Sequence, residues 1–235
     1  MTCLSFILPA HNEARLLGST LDAIHAAAGG MHNDYEIIVV DDASTDSTAH
    51  IAAHAGAKVV RVEHRHIAAA RNAGARHATG SLLLFVDADT LIDAAVLRAA
   101  IQAIAAGAVG GGAAVRLQGR AAMSERLLEC LLVWAFRAVR IAPGCFVFCT
   151  RPAFDAAGGF DLSYYAGEDV AISRALARQG RFVILREAVH TSARKLRTFS
   201  GWEHLRLALR FAVRGRRVLR SRDELGLWYG KRRDE

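Results

Sequence analysis

The chain has 235 residues, 52% apolar and 23% charged, a globular composition that excludes disorder as the main state. At this length roughly 70% of the unfolded surface is buried, so neither a disulfide nor a structural metal is required. The net charge of +7 is uneven: residues 1–193 carry 17 Lys/Arg against 18 Asp/Glu, and residues 194–235 carry 13 against 5.

The basic character therefore belongs to an appendage, whose expected partner is an anionic surface. The longest aliphatic and aromatic runs, 82–86 and 131–136, fall far short of the roughly 20 residues of a spanning helix. The N-terminus enters a strand pattern at Leu4 without a basic leader. A cytoplasmic chain is expected, with Cys3, Cys130, Cys145 and Cys149 reduced. Cys145 and Cys149 have no second Cys or His pair at ligand spacing, so a zinc site is not expected.

The first 115 residues alternate between two periods. Residues 4–8 form an apolar strand, and 12–28 a helix with Leu16, Leu17, Leu21 and Ile24 on one face. Residues 36–40 form a second strand, and 44–55 a helix that Ser44 or Thr45 can cap. A third strand spans 58–62, a third helix 67–77, a fourth strand 81–86 and a fourth helix 93–105. After Val115 the pattern changes to an amphipathic helix at 124–139, a strand at 145–150, a helix at 168–179 and a strand at 181–185. A last helix at 202–219 stacks Arg206, Arg210, Arg214 and Arg217 beside Leu205, Leu209, Ala212 and Leu219. Alternation of fully apolar strands with helices predicts an α/β fold, a mainly parallel sheet flanked by helices. In such sheets ligands sit at the carboxyl ends of the strands.

The residues that follow the strands carry the chemistry. Asp87 and Asp89, one residue apart after a buried strand, suit a hard divalent cation that shares its oxygen ligands with substrate phosphates; the alternative is a solvated turn with Asp93 capping the next helix. Asp41 and Asp42 precede Ser44, Thr45 and Asp46. Helix capping accounts for Ser44 and Asp46 but does not require two adjacent carboxylates, and a free carboxylate of this pair can accept from a nucleobase N–H. Arg71, in Ala70, Arg71, Asn72, Ala73, Gly74, meets phosphate or lies on a solvated helix face. Glu168 and Asp169 open a helix after Gly158, Gly159, Phe160 and Asp161, as dipole compensation or as a general base at a site edge. His190 is a lone histidine, a ligand or a packed residue.

Taken together, these stretches resemble the family 2 glycosyltransferases of the GT-A fold. The likeness rests on Pro9 to Glu13, Val40 to Asp46, Arg71 to Gly74, Asp87 to Asp89, Gly158 to Asp161 and Glu168–Asp169, and covers residues 2–192. It implies a GT-A domain over 1–195, with a nucleotide-sugar half at 1–115 and an acceptor half at 116–195, and a basic helical appendage at 196–235. By the same resemblance Pro9, Ala10, His11, Asn12, Glu13 and Asp42 form the nucleoside pocket, with Asp42 on the base. Arg71, Asp87, Ala88 and Asp89 join the donor site, Asp89 as the main ligand to Mn²⁺ or Mg²⁺. His190 matches a position where some members supply another ligand, and Asp169 matches the catalytic base.

The implied reaction transfers one sugar from a nucleoside diphosphate sugar to an acceptor hydroxyl or phosphate, with inversion. The Gln-x-x-Arg-Trp motif of processive synthases is missing after residue 178, so a polymer is not the expected product. Uridine and guanosine donors stay equally open. Residues 191–195, with Arg194 or Lys195 on phosphate, form a lid or simply begin the tail. The helix at 202–219 either contacts an anionic membrane, making the acceptor lipid-linked, or docks on the domain. Nucleic acid is not an expected partner. The alternative function is a catalytically degenerate module that binds a nucleotide sugar or a partner.

Overall fold

The computed structural model describes residues 3–31, 33–117 and 141–192. The expected helices at 124–139 and 202–219, Cys130, and the lid residues Arg194 and Lys195 lie outside them. Cys3, Cys145 and Cys149 are free thiols. No helix among the described residues is long and apolar enough to cross a membrane.

Eight strands form one sheet: β1 (Leu4–Ala10), β2 (Tyr35–Asp42), β3 (Lys58–Val62), β4 (Leu82–Val86), β5 (Thr90–Leu91), β6 (Ala108–Leu117), β7 (Phe146–Thr150) and β8 (Arg181–Thr191). Their order across the sheet is β3-β2-β1-β4-β7-β6-β8-β5. The four strands of the first half are parallel. In the second half β7 runs antiparallel to β4 and β6, β6 and β8 are parallel, and β5 pairs antiparallel with the end of β8. Helices α1 (Leu17–Gly29), α2 (Thr48–His54), α3 (Ile67–His77), α4 (Ala94–Ala105), α5 (Arg151–Ala156) and α6 (Glu168–Gln179) accompany the strands. Apolar side chains from the two faces of the sheet enter two separate cores. Phe6, Leu8 and Leu84 pack into one with α1 and α4. Ile7, Val40 and Phe85 pack into the other with Ala70 and Ala73 of α3 and Ile172 and Leu176 of α6.

Pro9 sits in β1, a strand paired on both sides, although proline cannot donate to a ladder. Leu4 N bonds Asp34 O on the β2 side and Leu82 N bonds Cys3 O on the β4 side. By alternation the nitrogen of Pro9 faces β4, whose pairing with β1 ends at Ile7. Pro9 therefore costs no hydrogen bond, and its ring falls where β1 and β4 part. The crevice of an open α/β sheet, where the strand order reverses, opens at this point.

Several boundaries differ from the sequence expectation, each for a local reason. α2 begins at Thr48 rather than 44, because residues 44–46 bond to Asn12 and Ala14. Helix α1 likewise begins at Leu17 and not at 12. β8 continues to Thr191, so His190 lies within the strand. Asp93 caps α4, accepting from Val96 N at 2.9 Å. Three elements were not anticipated: the two-residue β5, α5 and β6. The β6 segment contains Gly110, Gly111 and Gly112, which dilute the apolar signal of a strand. A Cβ on Gly111 would stand 2.2 Å from Val183 O and 2.7 Å from the Phe148 ring, and one on Gly112 would stand 2.4 Å from Ala142 Cβ. Glycine is what lets β6 lie between β7 and β8 under those side chains.

Gly111→Ala should lower stability by about 1–3 kcal/mol, the usual cost of overpacking. The measurement is a urea titration, in which the midpoint falls and the slope is unchanged.

Candidate active site

The functional candidates gather at the carboxyl edge of the sheet. Two loops there are stitched together by side chains. Asn12, at φ +51°, accepts from Thr45 N at 2.8 Å and donates its own N–H to Ser44 Oγ at 3.0 Å. Glu13 N donates to Thr48 Oγ1 at 2.9 Å, and Ala14 N to Asp46 Oδ2 at 3.1 Å. Asp46 also accepts from Thr48 N at 2.9 Å. These bonds hold its carboxyl below the ordinary value although burial pulls it upward.

Asp42 is buried and its carboxylate is already engaged. Oδ1 accepts from His64 N at 2.6 Å and Arg65 N at 2.7 Å, and Oδ2 from His66 N at 2.9 Å. The open carboxylate expected from sequence is thus a clamp on the loop between β3 and α3. His11 Nδ1 lies 2.9 Å from Asp42 O, and its Nε2 lies 2.9 Å from Arg65 Nη1. His66 opens α3, accepting from Ala69 N at 3.4 Å, so its Nε2 donates to Leu162 O at 3.2 Å. The ring centroid of Tyr165 stands 4.6 Å from that of His66.

The centre of the edge is Arg71. It lies on no solvated helix face: the residue is 1% exposed. Nη1 donates to Glu168 Oε1 and Nη2 to Asp87 Oδ1, each at 2.8 Å. Nη2 also donates to Gly144 O at 2.8 Å, and the guanidinium lies 5.2 Å from the centroid of the Phe160 ring. Burial pulls the arginine pKa down, but Asp87 and Glu168 outweigh it and the value ends above the ordinary one. The neighbouring motif residues complete the geometry. Asn72 donates to Phe160 O at 2.8 Å and accepts from Phe160 N at 2.9 Å, clamping the Gly158–Phe160 turn. A Cβ on Gly74 would stand 2.4 Å from Ile7 and 2.9 Å from Val40, so glycine lets α3 approach the sheet.

Asp87, Ala88 and Asp89 form a turn fixed from several sides. Asp87 N donates to Cys145 O at 3.1 Å, Thr90 N to Asp87 O at 3.0 Å and Ser192 N to Asp89 O at 3.3 Å. Thr20 Oγ1 donates to Ala88 O at 2.9 Å. Thr191 Oγ1 lies 3.5 Å from Asp89 Oδ1; His190 precedes it in β8, paired with Leu91, and by strand alternation its side chain points to the opposite face from that of Thr191. Across the edge, Gly167 at φ +77° starts α6 and presents Glu168 and Asp169. Asp169 is half-buried; burial first, and Glu168 second, push its carboxyl up to about 6. A Cβ on Gly144 would stand 3.0 Å from Asp169 Oδ2, so the base candidate rests against bare backbone.

Among the described residues no three His, Cys, Asp or Glu side chains converge as a closed metal cage. That donor set still fits a hard cation, which keeps one or two carboxylates and takes its other ligands from water and phosphate. Asp87, Glu168 and Asp169 set three carboxyls around one guanidinium, with Asp89 beside them. A diphosphate brought here alone would meet like charge, and a cation would remove that opposition.

Residues 5–154 match the model for Glycosyl transferase family 2. A validoxylamine A glucosyltransferase of Streptomyces hygroscopicus subsp. jinggangensis is 34% identical over 95 residues, 37% of this chain and 22% of that protein. The mannosyltransferase PcManGT of Pyrobaculum calidifontis, solved with GDP-Man and Mn²⁺, superposes with TM-score 0.70 and 22% identity over 87% of this chain and 59% of that one. Glucosyl-3-phosphoglycerate synthase of Mycobacterium tuberculosis, solved with Mn²⁺, UDP and glucosyl-3-phosphoglycerate, gives 0.61 and 18% over 90% and 77%. These structural likenesses establish the fold, which is GT-A. The match spans about a fifth of the curated relative's length.

Arg71→Met would strand the carboxylates of Asp87 and Glu168. The expected loss is about 3–5 kcal/mol at pH 8, as for other broken buried pairs. Stranded carboxyls titrate higher in the folded state than in the unfolded one, so the loss should shrink as pH falls to 5. Urea unfolding at the two pH values reads this directly, and a loss that grows at pH 5 would contradict it.

Proposed function

The chain belongs to Glycosyl transferase family 2, and from that premise we propose that it transfers one sugar from a nucleoside diphosphate sugar to an acceptor, with inversion at the anomeric carbon. The observation that carries this reading is the buried Arg71, which ties the donor-side carboxylate Asp87 to the helix that presents Asp169. A base held at a fixed offset from the leaving group is what a single in-line displacement requires.

In this reading the crevice between β1 and β4 takes the donor nucleotide, with Pro9 to Glu13 along its wall. Asp89 would hold a divalent cation, with His190 as the second candidate, and the bound cation would neutralise charge gathering on the departing diphosphate. The Mn²⁺-containing structures of the mannosyltransferase and the synthase support that assignment. Asp169 accepts the proton of the acceptor hydroxyl as its oxygen bonds to the anomeric carbon and the bond from that carbon to the diphosphate breaks. Its raised pKa, about 6, leaves it ionised at neutral pH yet more basic than an ordinary aspartate. Arg71 positions both sides without touching substrate, in place of the phosphate contact expected from sequence. The basic stretch at 194–235 supports an anionic acceptor or surface, such as a lipid-linked phosphate.

Three measurements test the reading. In Asp169→Asn, kcat should fall by about 10²–10⁴ while nucleotide affinity is kept. The kcat/KM profile should lose activity below about pH 6 as Asp169 takes a proton, and Glu168→Gln, by removing the neighbouring charge, should move that limb to lower pH. Thermal stabilisation by nucleotide should require Mn²⁺ and disappear in Asp89→Ala. Activity unchanged in Asp169→Asn would sink the assignment of the base.

A further inference from the structure

We propose that Arg65 selects guanine as the donor base, presenting the Nε and Nη2 edge of its guanidinium to O6 and N7. Asp42, in this account, holds the loop from which Arg65 reaches. The inference rests on the sugar-nucleotide reading and gives it a base.

The argument starts from Asp42. Its carboxylate accepts three backbone N–H groups, from His64, Arg65 and His66, at 2.6, 2.7 and 2.9 Å. A carboxylate offers about four acceptor positions, so most of its capacity is spent on the protein. Those bonds hold Arg65 at φ +48°, a left-handed conformation that residues with side chains seldom adopt. Such outliers persist where the surroundings enforce them, and they concentrate at binding sites.

The side chain is held as well. Arg65 Nη1 lies 2.9 Å from His11 Nε2. A guanidinium only donates, so Nε2 accepts, and the ring proton sits on Nδ1, which donates to Asp42 O at 2.9 Å. His11 thus fixes the guanidinium plane. Arg65 follows β3 and His11 follows β1, so the exposed guanidinium reaches across β2 toward the crevice that opens at Pro9. No bond from the described residues engages Nε or Nη2. These two groups form an edge of two parallel donors.

The base that fits two parallel donors is the one with two adjacent acceptors. Guanine presents O6 beside N7 and takes arginine in a bidentate pair. Of the two donor bases the sequence leaves open, uracil flanks O4 with a C–H on one side and the N3–H donor on the other, so it leaves one arginine donor unmatched, as adenine does with its N6 amino group beside N7.

The test is calorimetric binding with Mn²⁺, using GDP, UDP, inosine diphosphate and 7-deazaguanosine diphosphate, on the native chain, Arg65→Ala and Arg65→Lys. The native chain should bind GDP at least about tenfold more tightly than UDP, the worth of one bidentate pair. Inosine diphosphate, which keeps O6 and N7, should follow GDP, and the 7-deaza analogue should lose most of that advantage. Both variants should bind GDP and UDP alike; lysine keeps the charge but not the fork. The exposed side chain leaves the backbone bonds to Asp42 in place, so both variants should melt as the native chain does. UDP binding as tightly as GDP, or a GDP preference that survives in both variants, overturns the assignment and leaves the sugar-nucleotide reading standing. Binding of no nucleoside diphosphate overturns both.

Discussion

A guanidinium cannot stay buried unless its charge is paired, because removal from water costs several kcal/mol. Arg71 is paired with two carboxylates at 2.8 Å and bonded to a carbonyl, its buried Nε having no partner among the described residues, and each partner comes from a different part of the chain. Asp87 ends β4, Gly144 leads into β7 and Glu168 opens α6. The pairing is satisfied only when all three have docked against α3. The same turn of helix supplies Asn72, which clamps Phe160, and Gly74, which lets α3 lie close to β1 and β2. One short motif therefore does three structural tasks, and the assembly of the site is inseparable from the folding of the second core.

The charge balance of this edge explains its chemistry. One cation faces the acids Asp87, Glu168 and Asp169. Arg71 bonds Asp87 and Glu168 directly, and Asp169 is left with burial and a like-charged neighbour. Its raised pKa follows from that unequal division. Two adjacent acids on one helix thereby acquire different environments, one bonded to the guanidinium and the other with a raised pKa. The pattern is a common one, in which environment and not residue type separates paired carboxylates.

Much of the fold was legible from sequence because β1, β2 and β4 are buried on both faces and read as unbroken apolar runs. β6 was not, since its glycines satisfy a packing constraint imposed by strands more than thirty residues away. The motif residues were legible as a set, but their tasks were not. Arg71 looked like a phosphate contact or a surface residue, and its carboxylate partners lie 16 and 97 residues along the chain. Asp42 looked free because the groups that fill it are backbone N–H groups, which leave no residue signature. Arg65 and His11 carried no signal at all as a pair; only the pairing of β1, β2 and β3 makes them neighbours.

The exit of the chain from the sheet has its own consequence. Ser192, the last residue described, donates its N–H to Asp89 O at 3.3 Å. The stretch that follows therefore starts at the edge of the sheet that carries Asp89. Residues 194–235 carry 13 basic against 5 acidic side chains, and they follow in the chain from the residue bonded to Asp89. A tethered polycation is confined to a volume set by its tether, so its local concentration is fixed by length and not by dilution. The near-neutral body and the basic stretch are thus joined covalently next to Asp89, and no dilution can separate the two charges.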